Sequence, residues 1–429
     1  MQIKADHSTR QQQWLIFGAI LILTLAVFLP SLNHGFVNWD DPTAVQENPL
    51  IQQGLSMEMV KTAFSGYTLA LYYPVTQLSY ALDVSLFGMD PGAFHRTNLF
   101  IHLLNVLLVF LILKRLFDRQ DLVAFATLLF AIHPCQVEPV VWISSRKDVL
   151  FLFFMLLGWW FYLTYIKGER SKKAYLVLVA VCMLLSLMSK VTAMVFPVVL
   201  VLTDFLNEGK DWRKYLLEKL PFLALSLLFI FIGTWGQQAG GAIAESGTGA
   251  TSEGFVYGFY ALIQYLIRAV FPLNLAAFHP YPAQPGEGIP WYVFASMPVV
   301  LLLVFLAYRF GRKQREFAFG ILLFFLPMLP FLQFLPIGQA LTAERYTYFP
   351  YIGLFIALFF LGEWLISKAN IKVPKQQLQY AGIGLIAALC LWLGRGQVQS
   401  WKDGESLWTQ VIKVHPRLPW LISTGLNGL

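Results

Sequence analysis

"WLIFGAILILTLAVFLPSL", residues 14–32, carries no charged side chain from its first position to its last. A helix needs about 20 apolar residues to cross the hydrocarbon of a bilayer. The run lacks the small-residue cleavage site of a removed signal peptide, so it reads as a retained first span. Similar runs recur along the chain, and spans are expected at roughly 14–32, 97–117, 121–139, 149–166, 174–189, 191–206, 220–236, 291–308, 317–336, 350–367 and 379–394. The 429 residues are 57% hydrophobic and only 13% charged, with a mean hydropathy of +0.60. Soluble chains carry about a quarter charged residues, and the short alternating segments of a membrane β-barrel are missing. The expected fold is an all-α polytopic bundle of about eleven transmembrane helices.

The net charge of +7 reports membrane topology here, not nucleic-acid binding. With the N-terminus in the cytoplasm, Lys4, Arg10 and the short connections 114–119, 167–173, 210–219, 309–315 and 368–375 hold twenty of the 31 basic residues. The opposite orientation would invert that bias, so the chain reads as N-in and C-out. Residues 255–272 are apolar enough to span, but a crossing there would put the basic cluster near 309–315 outside. They read instead as a helix lying in the outer interface or re-entering it. Upstream, "GQQAGGAIAESGTGATSEG" (236–254) reads as a mobile link. The organisation is therefore a membrane domain, 1–394, with long outer loops at 33–96 and 237–290, followed by an outer tail, 395–429. Cys135, Cys182 and Cys390 are too scattered for a disulfide framework or a metal site and read as small buried residues.

The polar residues that remain gather at the outer ends of the spans. "FVNWDDP" (36–42) puts Asp40 and Asp41 just beyond the first span. Pro42 disfavours helix at Asp41, so irregular backbone is expected there. The bland reading is a turn; the sharp one is a general base at the membrane surface. "HPCQVEPVVWISSRKDVL" adds His133, Glu138, Arg146, Lys147 and Asp148; a tight outer turn adds Lys190; "ERYTY" adds Glu344, Arg345 and Tyr346. Ionisable groups at membrane depth are functional candidates by default, although Arg345 could simply pair with a carboxylate and Arg146 and Lys147 could snorkel. His102 and Asn105 share a face of the second span, which reads as interhelical hydrogen bonding.

One chemistry joins an outer acid to outer cations. A sugar carried on a polyprenyl phosphate would leave its tail in the bilayer and its phosphate at the interface. Arg345, Lys190, Arg146 and Lys147 would bind that phosphate. A carboxylate of Asp40 or Asp41 would accept the proton of an acceptor hydroxyl, while Glu138, His133, His95 and Tyr346 would line the substrate pocket. The expected reaction is a single displacement with inversion.

Six ordered stretches carry a resemblance: "FVNWDDPTAVQENPLI", "YYPVTQLSYALDVSLFG", "FHRTNLFIHLLNVLLVFLIL", "HPCQVEPVVWISSRKDVL", "LLSLMSKVTAMVFPVVLVLTDF" and "ERYTYFPYIGLFI". From about residue 30 onward the chain resembles the transmembrane-and-tetratricopeptide-repeat (TMTC-like) proteins of the GT-C superfamily. The resemblance implies O-glycosyl transfer from a polyprenyl-phosphate sugar to a protein; the animal members are O-mannosyltransferases using dolichyl-phosphate mannose. It also implies a catalytic acid in the first outer loop, at Asp40 or Asp41, of which Asp41 is slightly preferred here; no metal or other cofactor is expected, since His and carboxylate ligands do not cluster beyond Asp40 and Asp41. Membrane lipids and a protein acceptor are the implied partners; the expected location is the outer face of a bacterial inner membrane in preference to the endoplasmic reticulum. The family's outer repeat array is not found here; "SLWTQVIKVHPRLPWLISTGLNGL" resembles its lead-in. Competing readings are a lipid-linked glycan ligase, polymerase or flippase, which would share the outer cations, a transporter, which would place charges at span midpoints, and an inactive scaffold.

Overall fold

The computed structural model describes residues 2–168, 173–206, 212–239, 251–283, 287–334, 340–368 and 373–416. Arg170, Lys172, Lys210 and Lys372, most of the Gly-rich link (240–250) and the last part of the tail (417–429) lie outside them. The helices in chain order are α1 (Gln2–Phe28), α2 (Pro49–Gln52), α3 (Met57–Ser65), α4 (Pro74–Phe87), α5 (Pro91–Leu116), α6 (Gln120–Ile132), α7 (Val137–Val141), α8 (Arg146–Ile166) and α9 (Ala174–Ser189). There follow α10 (Phe196–Leu206), α11 (Trp212–Ala239), α12 (Thr251–Val270), α13 (Trp291–Gly311), α14 (Arg315–Met328), α15 (Pro350–Lys368), α16 (Lys375–Gln399) and α17 (Gly404–Val414). Two short antiparallel strands, β1 (His279–Pro280) and β2 (Ala340–Thr342), pair His279 with Thr342.

Among the described residues seven helices are long and apolar enough to cross a membrane, and α6 with α7 makes a bent eighth. The helices α9 and α10 are shorter apolar members of the same bundle. This is an integral membrane protein of the all-α class.

Local chemistry sets the helix ends. Asp90 caps α5 by accepting from the Gly92 N–H at 3.0 Å, Pro91 follows in the first turn, and Lys114 and Arg115 sit in the last turn against the helix dipole. The expected span at 121–139 is broken instead of continuous. His133 precedes Pro134 and adopts an extended conformation (φ −61°, ψ 136°), and the chain turns by 51° there. The pre-proline clash and the missing N–H of Pro134 account for the break.

Polar ties and close backbone contacts hold the bundle. His102 on α5 is 2.8 Å from the Tyr348 hydroxyl and 3.1 Å from the Ala131 carbonyl, while Asn105 donates to the Val149 carbonyl at 2.9 Å. These are the interhelical bonds that their shared face implied. Between α14 and α15 the backbones almost touch. A Cβ on Gly320 would lie 2.7 Å from the Gly353 oxygen, and one on Gly353 would lie 2.6 Å from the Gly320 oxygen. Small residues allow this approach, which is the usual way helices pack tightly in lipid.

The connections separate into two ends. At one end the basic connections meet: Arg115 donates to Thr164, Arg119 to Glu363 and Gln379 to Asp121. At the other end lie the first loop, the break at 133–145, the turn at 190–195 and the strands. The amphipathic α12 touches that second end along its length. Phe255 packs on Phe334 near its start, and Arg268 donates to Thr342 near its finish. Both of its ends thus touch this end of the bundle.

Candidate active site

Asp40 and Asp41 leave the first span together and then part. Asp41 is 1% exposed, and its carboxylate accepts from the Val37 N–H (3.0 Å), the Ser144 N–H (3.0 Å) and the Ser144 hydroxyl (2.5 Å). Those three donors hold Asp41 in a helical conformation (φ −58°, ψ −39°), contrary to the irregular backbone expected before Pro42, and a wide helical turn runs from Pro42 to Gln46. Burial pushes its carboxyl up to about 6, against the pull of the Ser144 and Val37 donors. Asp40 keeps 31% of its side chain exposed, and its carboxylate lies 3.8 Å from the Lys147 ammonium. Adjacent carboxylates therefore have separate tasks: Asp41 fastens the loop and Asp40 presents a reachable oxygen.

Ser144 and Ser145 end the 3₁₀ turn Ile143–Ser145, and Arg146 opens α8, along which successive residues fan out at about 100° intervals. Ser144 serves Asp41 and Lys147 faces Asp40. Asp148 accepts from Lys190 at 2.5 Å, across the tight turn that ends α9. Arg146 goes elsewhere. It is fully buried and donates to Asp83, Asn98 and the carbonyls of Ser79 and Phe94. Its guanidinium is committed to protein acceptors and ties α4 and α5 to α8, away from the cluster where a phosphate role was expected of it.

Arg345 stands just before α15. Its backbone N–H donates to Glu138 at 3.0 Å, and its guanidinium pairs with the same carboxylate. Burial pulls this guanidinium down, but the Glu138 charge outweighs that and holds it above its ordinary value. The planar cation lies 5.7 Å from the Trp39 ring centre, 5.4 Å from Trp142 and 5.0 Å from Tyr346, within cation–π range of all three. Lys190 lies 5.8 Å from the Tyr346 ring. Trp39 is the chain neighbour of Asp40, so cations and acid from distant parts of the chain converge on one set of rings.

A narrow crevice of about 10 Å³ opens beside this cluster, lined by Asp148, Thr192, Arg345 and Tyr346 at its polar side and by Phe151, Val195, Pro327, Phe331, Phe349 and Pro350 elsewhere. One carboxylate oxygen of Asp148 and the Thr192 hydroxyl are buried without a hydrogen-bond partner among the described residues. Native structures leave few such groups, and each needs a cause. The sequence reading placed neither of them in the site, nor Trp39 or Trp142. Thr192 lies two residues after Lys190 and Asp148 follows Lys147, and that proximity was the only signal available.

Two residues assigned to the pocket are placed differently. His133 is held by backbone: its Nε2 lies 3.2 Å from the Ala269 carbonyl oxygen and its Nδ1 accepts from the Cys135 N–H. His95 lies 3.4 Å from the Gly35 carbonyl oxygen and packs edge-on to His34. Neither lines the cleft; both brace loops behind it.

The profile of the dolichyl-phosphate-mannose-protein mannosyltransferase family matches residues 74–235. A protein O-mannosyl-transferase of Caenorhabditis elegans is 24% identical over 420 residues, covering 92% of this chain and 57% of its own length. TMTC1 of Mus musculus is 35% identical over 137 residues, 30% of this chain and 14% of that protein, and Tmtc1 of Drosophila melanogaster is 28% identical over 193 residues, 43% and 22%. The chain thus spans little more than half of the longest-matching of these relatives. Among solved structures, the Archaeoglobus fulgidus oligosaccharyltransferase with a tethered acceptor peptide aligns with a TM-score of 0.47 at 13% identity, covering 91% of this chain and 55% of that one. ArnT from Cupriavidus metallidurans aligns at 0.41 and 12%, covering 95% and 76%. The chain is similar to a protein O-mannosyl-transferase over 92% of its length.

Proposed function

We propose that this protein is a GT-C glycosyltransferase that moves a sugar, mannose being the first candidate, from a polyprenyl phosphate to a protein hydroxyl. The observation that carries this reading is the convergence of Asp40, Lys147, Lys190 and Arg345 on one ring cluster beside a cleft with apolar walls. The donor phosphate lies among Arg345, Lys190 and Lys147. Its tail runs down the apolar wall toward a second groove, lined by Pro197, Val201, Leu220, Leu223 and Leu326. The acceptor oxygen attacks the anomeric carbon and its proton passes to the Asp40 carboxylate. The bond from that carbon to the phosphate oxygen breaks, with the electron pair going to the phosphate. Arg345 and the lysines stabilise the charge that grows there, and no metal is invoked. Asp40 takes the base role in place of Asp41, because a base must come within hydrogen-bond reach of the hydroxyl and Asp41 has spent its oxygens on Val37 and Ser144. The site end faces away from the cytoplasm, a reading supported by the basic connections at the opposite end.

The test is transfer from a synthetic polyprenyl-phosphate mannose to acceptor protein by purified enzyme in detergent or nanodiscs. Asp40→Asn is expected to lower the rate by about 10²–10⁴-fold without changing donor affinity. Full activity in Asp40→Asn would refute the base assignment. Transfer to a glycan in place of a protein hydroxyl would move the enzyme to the ligase or polymerase class.

A further inference from the structure

Four tryptophans from three distant parts of the chain form one stack at the site end. Trp39 lies flat on Trp142 (centroids 4.9 Å apart, planes 16°), Trp401 packs on the Trp142 ring at 5.6 Å, and Trp408 packs on Trp39 at 6.1 Å. Trp401 precedes α17 and Trp408 is on it. That helix is fixed by Asp403, whose side chain accepts from the Ser406 N–H at 2.8 Å. Gly404, Leu407, Trp408 and Val411 bury one stripe of it at helical spacing. The loop bearing Asp40 is laced to this segment at two points. The Gly35 N–H donates to the Lys402 carbonyl at 2.9 Å, and the Trp408 indole N–H donates to the Asn38 side-chain oxygen at 3.0 Å. Arg345 lies over the two central rings of the same stack. Gly404 sits against Asn38 so closely that a Cβ there would collide with the Asn38 amide.

We infer that Trp408 and Asn38 are positioning residues for the reaction: their hydrogen bond fixes the pitch of Trp39 and so aims Asp40 at the cleft across from Arg345. The inference rests on the reading of Asp40 as the base. It gives the segment after the last span a part in the chemistry.

Two variants strike this bond. Trp408→Phe keeps an aromatic ring in the stack but removes the indole N–H. Gly404→Ala suits a helix better than glycine does, yet it must push the Asn38 amide aside. Each is expected to lower kcat by about tenfold or more, since small misplacements of reacting groups are costly, with the donor KM within about twofold and the melting temperature of the detergent-solubilised protein held. Asn38→Ala should behave alike, while Asn38→Asp, which still offers an oxygen to the indole, should restore kcat. A loss of kcat only in step with melting temperature, or an unchanged kcat in Trp408→Phe, overturns the inference. Asp40→Asn assayed in parallel separates the two readings. An inactive Asp40→Asn beside a fully active Trp408→Phe removes the positioning role alone; a fully active Asp40→Asn removes the base reading beneath it.

Discussion

At the basic end of the bundle, Arg119 gives both edges of its guanidinium to carboxylates. It donates to Asp121 at 3.0 and 2.6 Å and to Glu363 at 2.7 and 3.3 Å, and Gln379 closes the remaining side of Asp121 at 3.3 Å. At the site end the charges are just as many but less fully used. Arg345 has one carboxylate and three ring faces, Lys147 reaches Asp40 only at 3.8 Å, and Asp148 and Thr192 each keep a buried atom unpaired. Charge by itself therefore does not mark a binding site in this protein. What marks the site end is that the unpaired atoms of Asp148 and Thr192 belong to residues lining the crevice beside Arg345, since buried polar groups are ordinarily satisfied.

The contrast can be attacked through single residues. Arg146 lies at the site end but resembles the basic end in being fully satisfied. Arg146→Met should cost about 3–5 kcal/mol of stability, because Asp83 is left buried and unpaired, and any folded fraction should bind donor normally; thermal melting and donor titration check this. Arg345→Ala should do the reverse, weakening donor binding by about 2–5 kcal/mol, read by titration with a polyprenyl-phosphate sugar. Unaltered donor affinity would remove Arg345 from the site. Asp41 gives a pH signature. Its carboxyl is raised from 3.8 in the unfolded chain to about 6 in the fold, so the folded state keeps a proton there that the unfolded chain has lost. The resulting stabilisation is complete below pH 3.8 and vanishes as pH rises through about 6. The stability difference between wild type and Asp41→Asn should shift against wild type by on the order of 3 kcal/mol from pH 4 to 7, measured by melting across that range. The smallest effect belongs to Arg119→Ala: its side chain is 41% exposed, so the loss should stay below about 1 kcal/mol, with transfer unaffected.

The span pattern was legible because apolar length and Lys/Arg bias are properties of contiguous sequence, and the helices at α1, α5, α8, α13 and α15 follow it. The break at His133–Pro134 was passed over although Pro134 announced it; the apolar run continued on both sides and hid the proline. At the site the residue types were legible, but their allotment was not. Nothing in "WDD" says which carboxylate Ser144 will claim, and nothing in "SSRKD" says that Arg146 will turn inward to Asp83 while Lys147 meets Asp40. Those outcomes depend on contacts between segments about 100 residues apart. The tryptophan stack was hidden for the same reason, since positions 39, 142, 401 and 408 meet only in three dimensions.

The glycine contact between α14 and α15 has a consequence for how a lipid would get in and out. The cleft has two jambs. One is formed by the ends of α14 and α15, whose backbones are seated on each other at Gly320 and Gly353 and have no slack to give. The other includes the 3₁₀ turn Val191–Val195 leading into α10, where no comparable backbone contact is found among the described glycines. A lipid at the crevice would meet seated backbone on the α14–α15 side, and on the other side a turn tied to α11 by the Ser226 hydroxyl, which donates to the Met194 carbonyl at 3.0 Å.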